Sequence, residues 1–464
     1  MMTMTDEIRN HPDMSLGRKI LIATKLSLPI ILAQITTIAM QYIDSAMVGQ
    51  LGEDASAAIG LVSSSIWLVN GVTSSAIYGY SVQVAHMVGA QEEKASRSLF
   101  RQGLKVVFLF SLLMMALSVS ISSFLPSWLG ADEIIWNDAS GYFLIVSLFL
   151  PVTQLRFYLT ASLQATGDTK TPGILSVLMC VLNVIFNAFL INDTLTLSPK
   201  SAAFSLTIHG LGMGVRGAAL ATGLSGLVIA LITFFFARKN RYLKTVKGES
   251  ARIDRDTLKH AASISFPMAI ESAALSGAMV ASTRIVAPLG SVSIAANSFA
   301  VTAESFCYMP GYGLETSATT LVGQSIGAEH KDLARSFAWV TTIMGMIIMT
   351  LTGILMYFIS PYVLSFLTPV EEVSSLGVKV LRIELLAEPF FGASIVACGA
   401  MRGAGDTFIP SMMNLFSIWV VRITLSILLV GSMGLVGCWI AMCVELTFRG
   451  IIFLIRLAGH RWMK

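Results

Sequence analysis

Residues 87–98 read MVGAQEEKASRS, and residues 325–336 read SIGAEHKDLARS. Each string ends a long apolar run with Gly-Ala, turns through acidic residues and resumes with a basic residue and Arg-Ser. The two lie 238 positions apart, and the offset recurs on either side of them. Pro29 pairs with Pro267, Arg97 with Arg335, and ATGDTKTP (165–172) with GAGDTFIP (403–410), which sets Asp168 against Asp406. Landmarks held in one register over about 140 residues mark an internal duplication. Further on, GVRGAALAT (214–222) aligns with GLVGCWIAM (434–442) at a shorter shift of 220. The first half therefore carries about eighteen extra residues, placed in the loop before 214.

The repeated unit belongs in lipid. Of the 464 residues 55% are hydrophobic and 12% charged, and the mean hydropathy is +0.74. A soluble domain carries roughly 25% charged residues. A bilayer core needs about 20 apolar residues per helix. Runs of that kind fall at 20–48, 55–85, 100–129, 138–165, 169–192 and 210–237, then at 259–288, 293–325, 335–366, 375–402, 407–431 and 433–458. The sequence thus predicts an all-α membrane protein of about twelve transmembrane helices in two six-helix lobes. The expected division is an N-terminal segment (1–19), an N-lobe (20–237), a linker (238–258), a C-lobe (259–458) and a C-terminal segment (459–464). With six helices per half, both halves enter the membrane from the same side. They are parallel repeats related by a pseudo-two-fold axis along the membrane normal.

Charge orients the bundle. The loop RKNRYLKTVKGESARIDRDTLKH (238–260), Lys94, Arg97, Arg101, Lys170, Lys331, Arg335 and Arg402 fall at helix ends of one parity. Loops of the other parity are acidic or neutral, with Lys200 the single basic residue. Basic loops stay cytoplasmic, so both termini are expected inside, in a multi-pass protein of the plasma (inner) membrane. The first twenty residues are polar and hold no separate cleavable leader, so helix 1 would serve as its own insertion signal. The net charge of +4 forms no stripe and argues against nucleic acid. The five cysteines sit in apolar runs without metal or disulfide spacing, and the six histidines form no ligand pair. With no nucleophile–base pair either, an enzyme is not expected. Two matched lobes that can rock around a central cavity point instead to alternating-access transport, for which a monomer suffices.

The chain resembles the multidrug and toxic compound extrusion (MATE) family along nearly its whole length. The resemblance is carried by YIDSAMVGQLG (42–52), LQATGDTKTP (163–172), GVRGAALAT, MPGYGLETSATTLVGQSIGA (309–328) and GAMRGAGDT (399–407). It implies export of organic, often cationic compounds in exchange for H⁺ or Na⁺, with no other cofactor. A lipid-linked oligosaccharide flippase of the same superfamily is the alternative. That function favours a basic cavity and extra helices, which this sequence lacks.

Ionisable groups at lipid depth are functional candidates by default. Asp44, beside Tyr42 and Ser45, is the first, and it matches the family's N-lobe ion-site aspartate. Its expected companions are Asn183 and Asn187, one turn apart on helix 5, and Thr222 on helix 6; Asp44 and Asn183 would be ligands if the ion is Na⁺. In family members with the full site, position 187 holds aspartate, so Asn187 removes one charge. The alternative reading of two asparagines in a membrane helix is interhelical hydrogen bonding. Glu271, four residues after Pro267, is the C-lobe coupling candidate. The family's glutamate lies at the position of Leu275 and its aspartate at that of Phe391. Glu304 and Glu388 are candidates for the substrate cavity or for coupling, as is Tyr42. Pro310, Gly311 and Gly313 are expected to hinge helix 8. Arg156, Arg382 and Arg422 are the expected neutralising cations, and Glu384–Arg382 and Glu445–Arg449 the expected structural pairs. The aspartates of the two GDT turns read as helix caps.

Overall fold

A computed structural model of the chain describes residues 4–130, 132–197, 206–246, 249 and 253–463. A short α1 (Met4–Asn10) precedes the long helices α2 (Leu16–Gly49), α3 (Glu53–Gly89) and α4 (Glu93–Ile121). A one-turn α5 (Leu125–Trp128) leads into α6 (Glu133–Leu148) and α7 (Leu150–Ala165), a pair bent by 46° at Phe149, and then α8 (Lys170–Leu190). After α9 (Gly214–Lys239) the second half follows with α10 (Arg255–Val286), α11 (Ser291–Gly327), α12 (Lys331–Leu367), α13 (Glu371–Glu384), α14 (Glu388–Gly403), α15 (Phe408–Phe416) and α16 (Thr424–Ala458). Among the described residues, nine runs are long and apolar enough to cross a membrane, and the bent α6–α7 pair makes ten. One of the nine, Phe408–Ala458, is 51 residues long and breaks at Gly434, where φ is +57°. The 37-residue α11, rich in small and polar side chains, lies outside that set.

Local sequence explains the helix ends and breaks. Ser15 accepts a hydrogen bond from the Arg18 amide at the start of α2, and Asp254 does the same for Thr257 at the start of α10. Both GDT glycines, Gly167 and Gly405, take left-handed φ values of +89° and +87°, a region open to glycine at little cost. Asp168 accepts from the Thr171 amide, as expected of a cap, whereas Asp406 is taken by the Arg456 guanidinium. Pro151 follows the α6–α7 bend, and Pro389 follows a 3₁₀ turn (Leu385–Ala387) between α13 and α14 at the repeat-equivalent place. The insertion before 214 includes an antiparallel hairpin, β1 (Thr194–Leu197) with β2 (Leu206–His209), which the sequence reading took only as extra loop.

The lobes meet through two pairs of helices that the duplication exchanges: α2 packs on α11, and α3 on α10. At the end bearing the basic loops, α3 and α11 approach so closely that only glycine fits. A Cβ on Gly89 would lie 2.0 Å from the Gln324 carbonyl oxygen, and one on Gly327 would lie 1.9 Å from that of His86. The same residues bond across the interface. The His86 Nε2–H donates to the Gly403 carbonyl at 2.8 Å, and the Gln324 amide donates to the Ala165 carbonyl at 2.8 Å. Each residue here is the 238-residue mate of its counterpart, so this is one contact made twice. The turns beyond it match as well: Gln91 (φ +60°) and Glu329 (φ +63°) are the two described non-glycine residues with left-handed backbone. Beneath them α1 touches both lobes, with Arg9 donating to the Ala90 carbonyl and its own carbonyl accepting from His330.

Candidate functional site

The polar residues of the N-lobe converge from three helices. Asp44 on α2 accepts a 2.5 Å hydrogen bond from the Asn187 amide of α8. That amide also donates to the Asn183 oxygen (3.2 Å), and Asn183 donates in turn to the Thr222 hydroxyl of α9 (3.1 Å). The single Thr222 hydroxyl proton is available to the Ala218 carbonyl at 3.1 Å or to Asp44. One turn of α8 separates the two asparagines, so both face Asp44. Both are fully buried, and among the described residues the Asn187 oxygen has no hydrogen-bond donor. An orphaned amide acceptor beside a carboxylate is suited to a cation. All four residues expected together from sequence are therefore together. Tyr42 lies apart from them, donating to the Thr302 carbonyl at 3.2 Å and stacking on Phe306 across the lobe interface.

Glu271 belongs to a second cluster. Its carboxylate accepts two 3.0 Å hydrogen bonds from Arg402 on α14, one of 2.6 Å from Ser411 and one of 2.7 Å from Asn414, both on α15. Arg402 also pairs with Glu315 of α11 at 2.7 Å and lies over the Tyr78 ring of α3. Two buried carboxylates thus share one guanidinium.

Arg402 is the neutralising cation that sequence reasoning missed, because it was counted among the basic helix ends that orient the bundle rather than as a partner for buried acids. The signal was available in the repeat: Arg402 occupies the position that Gln164 fills in the N-lobe. Of the arginines expected to neutralise acids, none forms an ion pair within the described residues. Arg156 lies over Phe157, Arg382 donates to the Tyr357 carbonyl, and Arg422 donates to the Met442 sulfur. The Glu384–Arg382 pair is absent because Arg382 turns out to that carbonyl while Glu384 faces inward, fully buried. The Glu445–Arg449 pair is present at 2.9 Å, and Glu445 also accepts from Ser417.

Glu304 of α11 and Glu388 of α14 lie deep in the C-lobe, away from the Glu271 cluster. The expected hinge is not a break in this structure, since α11 runs unbroken through Pro310. Gly311 and Gly313 serve close approach instead. A Cβ on the former would lie 2.6 Å from the Met349 sulfur, and one on the latter 2.6 Å from Ile31.

Two helical lobes of matched construction, with polar clusters buried at membrane depth, define a multi-pass integral membrane protein. The sequence model of the MatE family matches this chain twice, over residues 29–189 and 267–428, each match opening at one of the paired prolines. The chain belongs to the MatE family. Among its relatives, a probable multidrug resistance protein NorM of Thermotoga maritima is 26% identical over 448 residues, 95% of this chain and 92% of that one. The multidrug resistance protein MdtK of Yersinia enterocolitica is 24% identical over 456 residues, covering 95% and 94%. In fold the chain is similar to the Vibrio cholerae MATE transporter VcmN in its bent form, with a TM-score of 0.85 at 16% identity over 96% of this chain and 97% of that one. A MOP superfamily transporter from Pyrococcus furiosus gives 0.87 at 18% identity over 99% and 98%.

Proposed function

We propose that the chain is a secondary antiporter of the plasma membrane that exports small organic, often cationic compounds in exchange for H⁺ or Na⁺. On this reading the bundle has twelve spans, with Phe408–Ala458 as two and α11 as one, and the basic loops and both termini lie in the cytoplasm. The observation that carries the reading is the N-lobe site. Asp44 sits on a buried amide ladder with one carbonyl oxygen unsatisfied, in a chain whose relatives are named for multidrug resistance. A cation that binds there neutralises a carboxylate at membrane depth. It can drive transport only if its affinity differs between the states open to either side. Asp44 is the coupling group; Asn183, Asn187 and Thr222 position it and supply neutral ligands.

The test is efflux of a fluorescent organic cation from proteoliposomes after an imposed jump in pH or in Na⁺. The jump that drives efflux names the coupling ion. Asp44→Asn is expected to lower driven efflux by about tenfold or more. Full ion-driven efflux by that variant would remove Asp44 from the mechanism.

A further inference from the structure

Glu304, on α11, and Glu384 and Glu388, which flank the 3₁₀ turn between α13 and α14, take no part in either cluster described above. Their exposures are 3%, 0% and 0%. Among the described residues none of the four carboxyl oxygens of Glu384 and Glu388 has a hydrogen-bond partner, and no basic residue forms an ion pair with any of the three. The nearest cations are Arg422 and Arg449. Arg449 is committed to Glu445, and Arg422 donates to the Met442 sulfur. With Arg449 offset by Glu445, the single charge of Arg422 stands against three carboxyls. Two negative charges are then left inside the membrane with no donor to stabilise them, which costs several kcal/mol per ion. Two bound protons cancel them. Among the described residues no group of acidic, histidine or cysteine side chains has a geometry suited to a metal ion.

The duplication shows that the acids are not required by the architecture. At the register of 238, Glu304 corresponds to Ile66, Glu384 to Val146 and Glu388 to Leu150, while Pro389 keeps its mate in Pro151. The N-lobe thus makes the same interrupted helix with apolar residues where the C-lobe has carboxyls. The other titratable groups facing the cluster are Cys307 and Tyr308 of α11 and Cys443 of α16. Tyr308 contacts Tyr312 and Phe391 by ring edges and lies near Tyr42, so its phenol stands between the carboxyls and the lobe interface.

We propose that Glu304, Glu384 and Glu388 form a second, proton-binding site inside the C-lobe, distinct from Asp44 and reached from the lobe interface past Tyr308. The site holds two protons in the state described and exchanges them with solvent when the lobes move. It rests on the reading of the chain as an ion-coupled carrier only for the timing of that exchange; the binding stands on its own.

The experiment is infrared difference spectroscopy of the full-length protein in lipid nanodiscs. It follows the C=O stretch of protonated carboxylic acids, identified by its shift in D₂O, across a pH titration. Wild type is expected to show two components. Asp44→Asn should remove one, and Glu384→Gln/Glu388→Gln should remove the other. A further variant, Glu384→Val/Glu388→Leu, copies the N-lobe residues. It should melt no lower than wild type, because these buried carboxyls have no hydrogen-bond partner to lose and apolar side chains remove their desolvation penalty, and it should also lack the second component. The proposal is overturned if the acid intensity is unchanged in both double variants, or if all of it disappears with Asp44→Asn. Loss of dye efflux in Asp44→Asn with the second component intact supports both sites separately. Retention of efflux in that variant together with the second component removes the Asp44 reading and leaves this one standing.

Discussion

Arg402 shows how much a single side chain holds in place. It bridges Glu271 and Glu315 from the last turn of α14, with Ser411 and Asn414 filling the remaining acceptor positions on Glu271. Removing the guanidinium leaves two carboxylates buried and unpaired. Arg402→Met is therefore expected to destabilise the C-lobe by about 3–5 kcal/mol, read as a lower melting temperature in detergent. Adding Glu271→Gln and Glu315→Gln should restore most of that loss. Unchanged melting in Arg402→Met would show that the pair is spectator chemistry. At this scale the sequence was informative where a polar residue stood alone in an apolar run. Asp44, Asn183 and Asn187 were visible that way, helical spacing put the two asparagines on one face, and Thr222 came from the motif that it ends. Partnerships were less legible: Arg402 and Glu271 are 131 positions apart, and only the packing of α15 against both α10 and α14 brings them together.

Among the elements, α3 and α11 carry the contact that closes the basic end of the bundle. Gly89→Val puts two methyl groups where a Cβ alone already meets the Gln324 carbonyl at 2.0 Å, so the helix crossing must widen. The expected result is faster alkylation of a cysteine placed at Ala165, in an otherwise cysteine-free protein, than the same probe shows without the valine. Equal rates would mean that the crossing is already open in the membrane. Apolar runs of membrane-spanning length exposed most of the long helices in advance, and the GDT strings marked both turns. The β-hairpin was missed, although Thr-Leu-Thr-Leu at 194–197 alternates with a strand's period. Four residues of alternation are a weak signal beside twelve helical runs. Likewise MPGYG suggested a broken helix, but the packing of Met349 and Ile31 against its glycines accompanies an unbroken one.

The whole molecule consists of two lobes joined by a linker that is itself tied down. Arg97 makes a bidentate contact with Glu249 and also donates to the Arg241 carbonyl, while Arg101 holds the other Glu249 oxygen. The Arg97 guanidinium holds the Glu249 carboxyl below its ordinary value. A depressed pKa adds stability above the unfolded value and loses it as pH falls through the folded one. Proteolysis of the linker should therefore accelerate as pH drops below about 4.3, the unperturbed glutamate value. Glu249→Gln should show the faster cleavage already at neutral pH; linker cleavage insensitive to both would place the restraint elsewhere. The duplication, the two-lobed fold and the basic end were legible from spacing and charge alone. The inequality of the lobes was only partly so. The sequence pointed to an N-lobe ion site, but that no described cation forms an ion pair with Glu304, Glu384 or Glu388 emerges only once the arginines have their partners.

The doubled contact of Gly89 and His86 with Gln324 and Gly327 has the form of an isologous dimer interface. Residue i on one side meets residue j on the other, and j meets i. Here both sides lie on one polypeptide, so the interface is homodimeric in form but forms at a fixed effective concentration. A homodimer must change both sides of such an interface with every mutation. This chain can alter one side alone, and it has done so: histidine stands where its mate is glutamine. The interface can thus acquire a charge on one side while keeping the geometry of a symmetric pair.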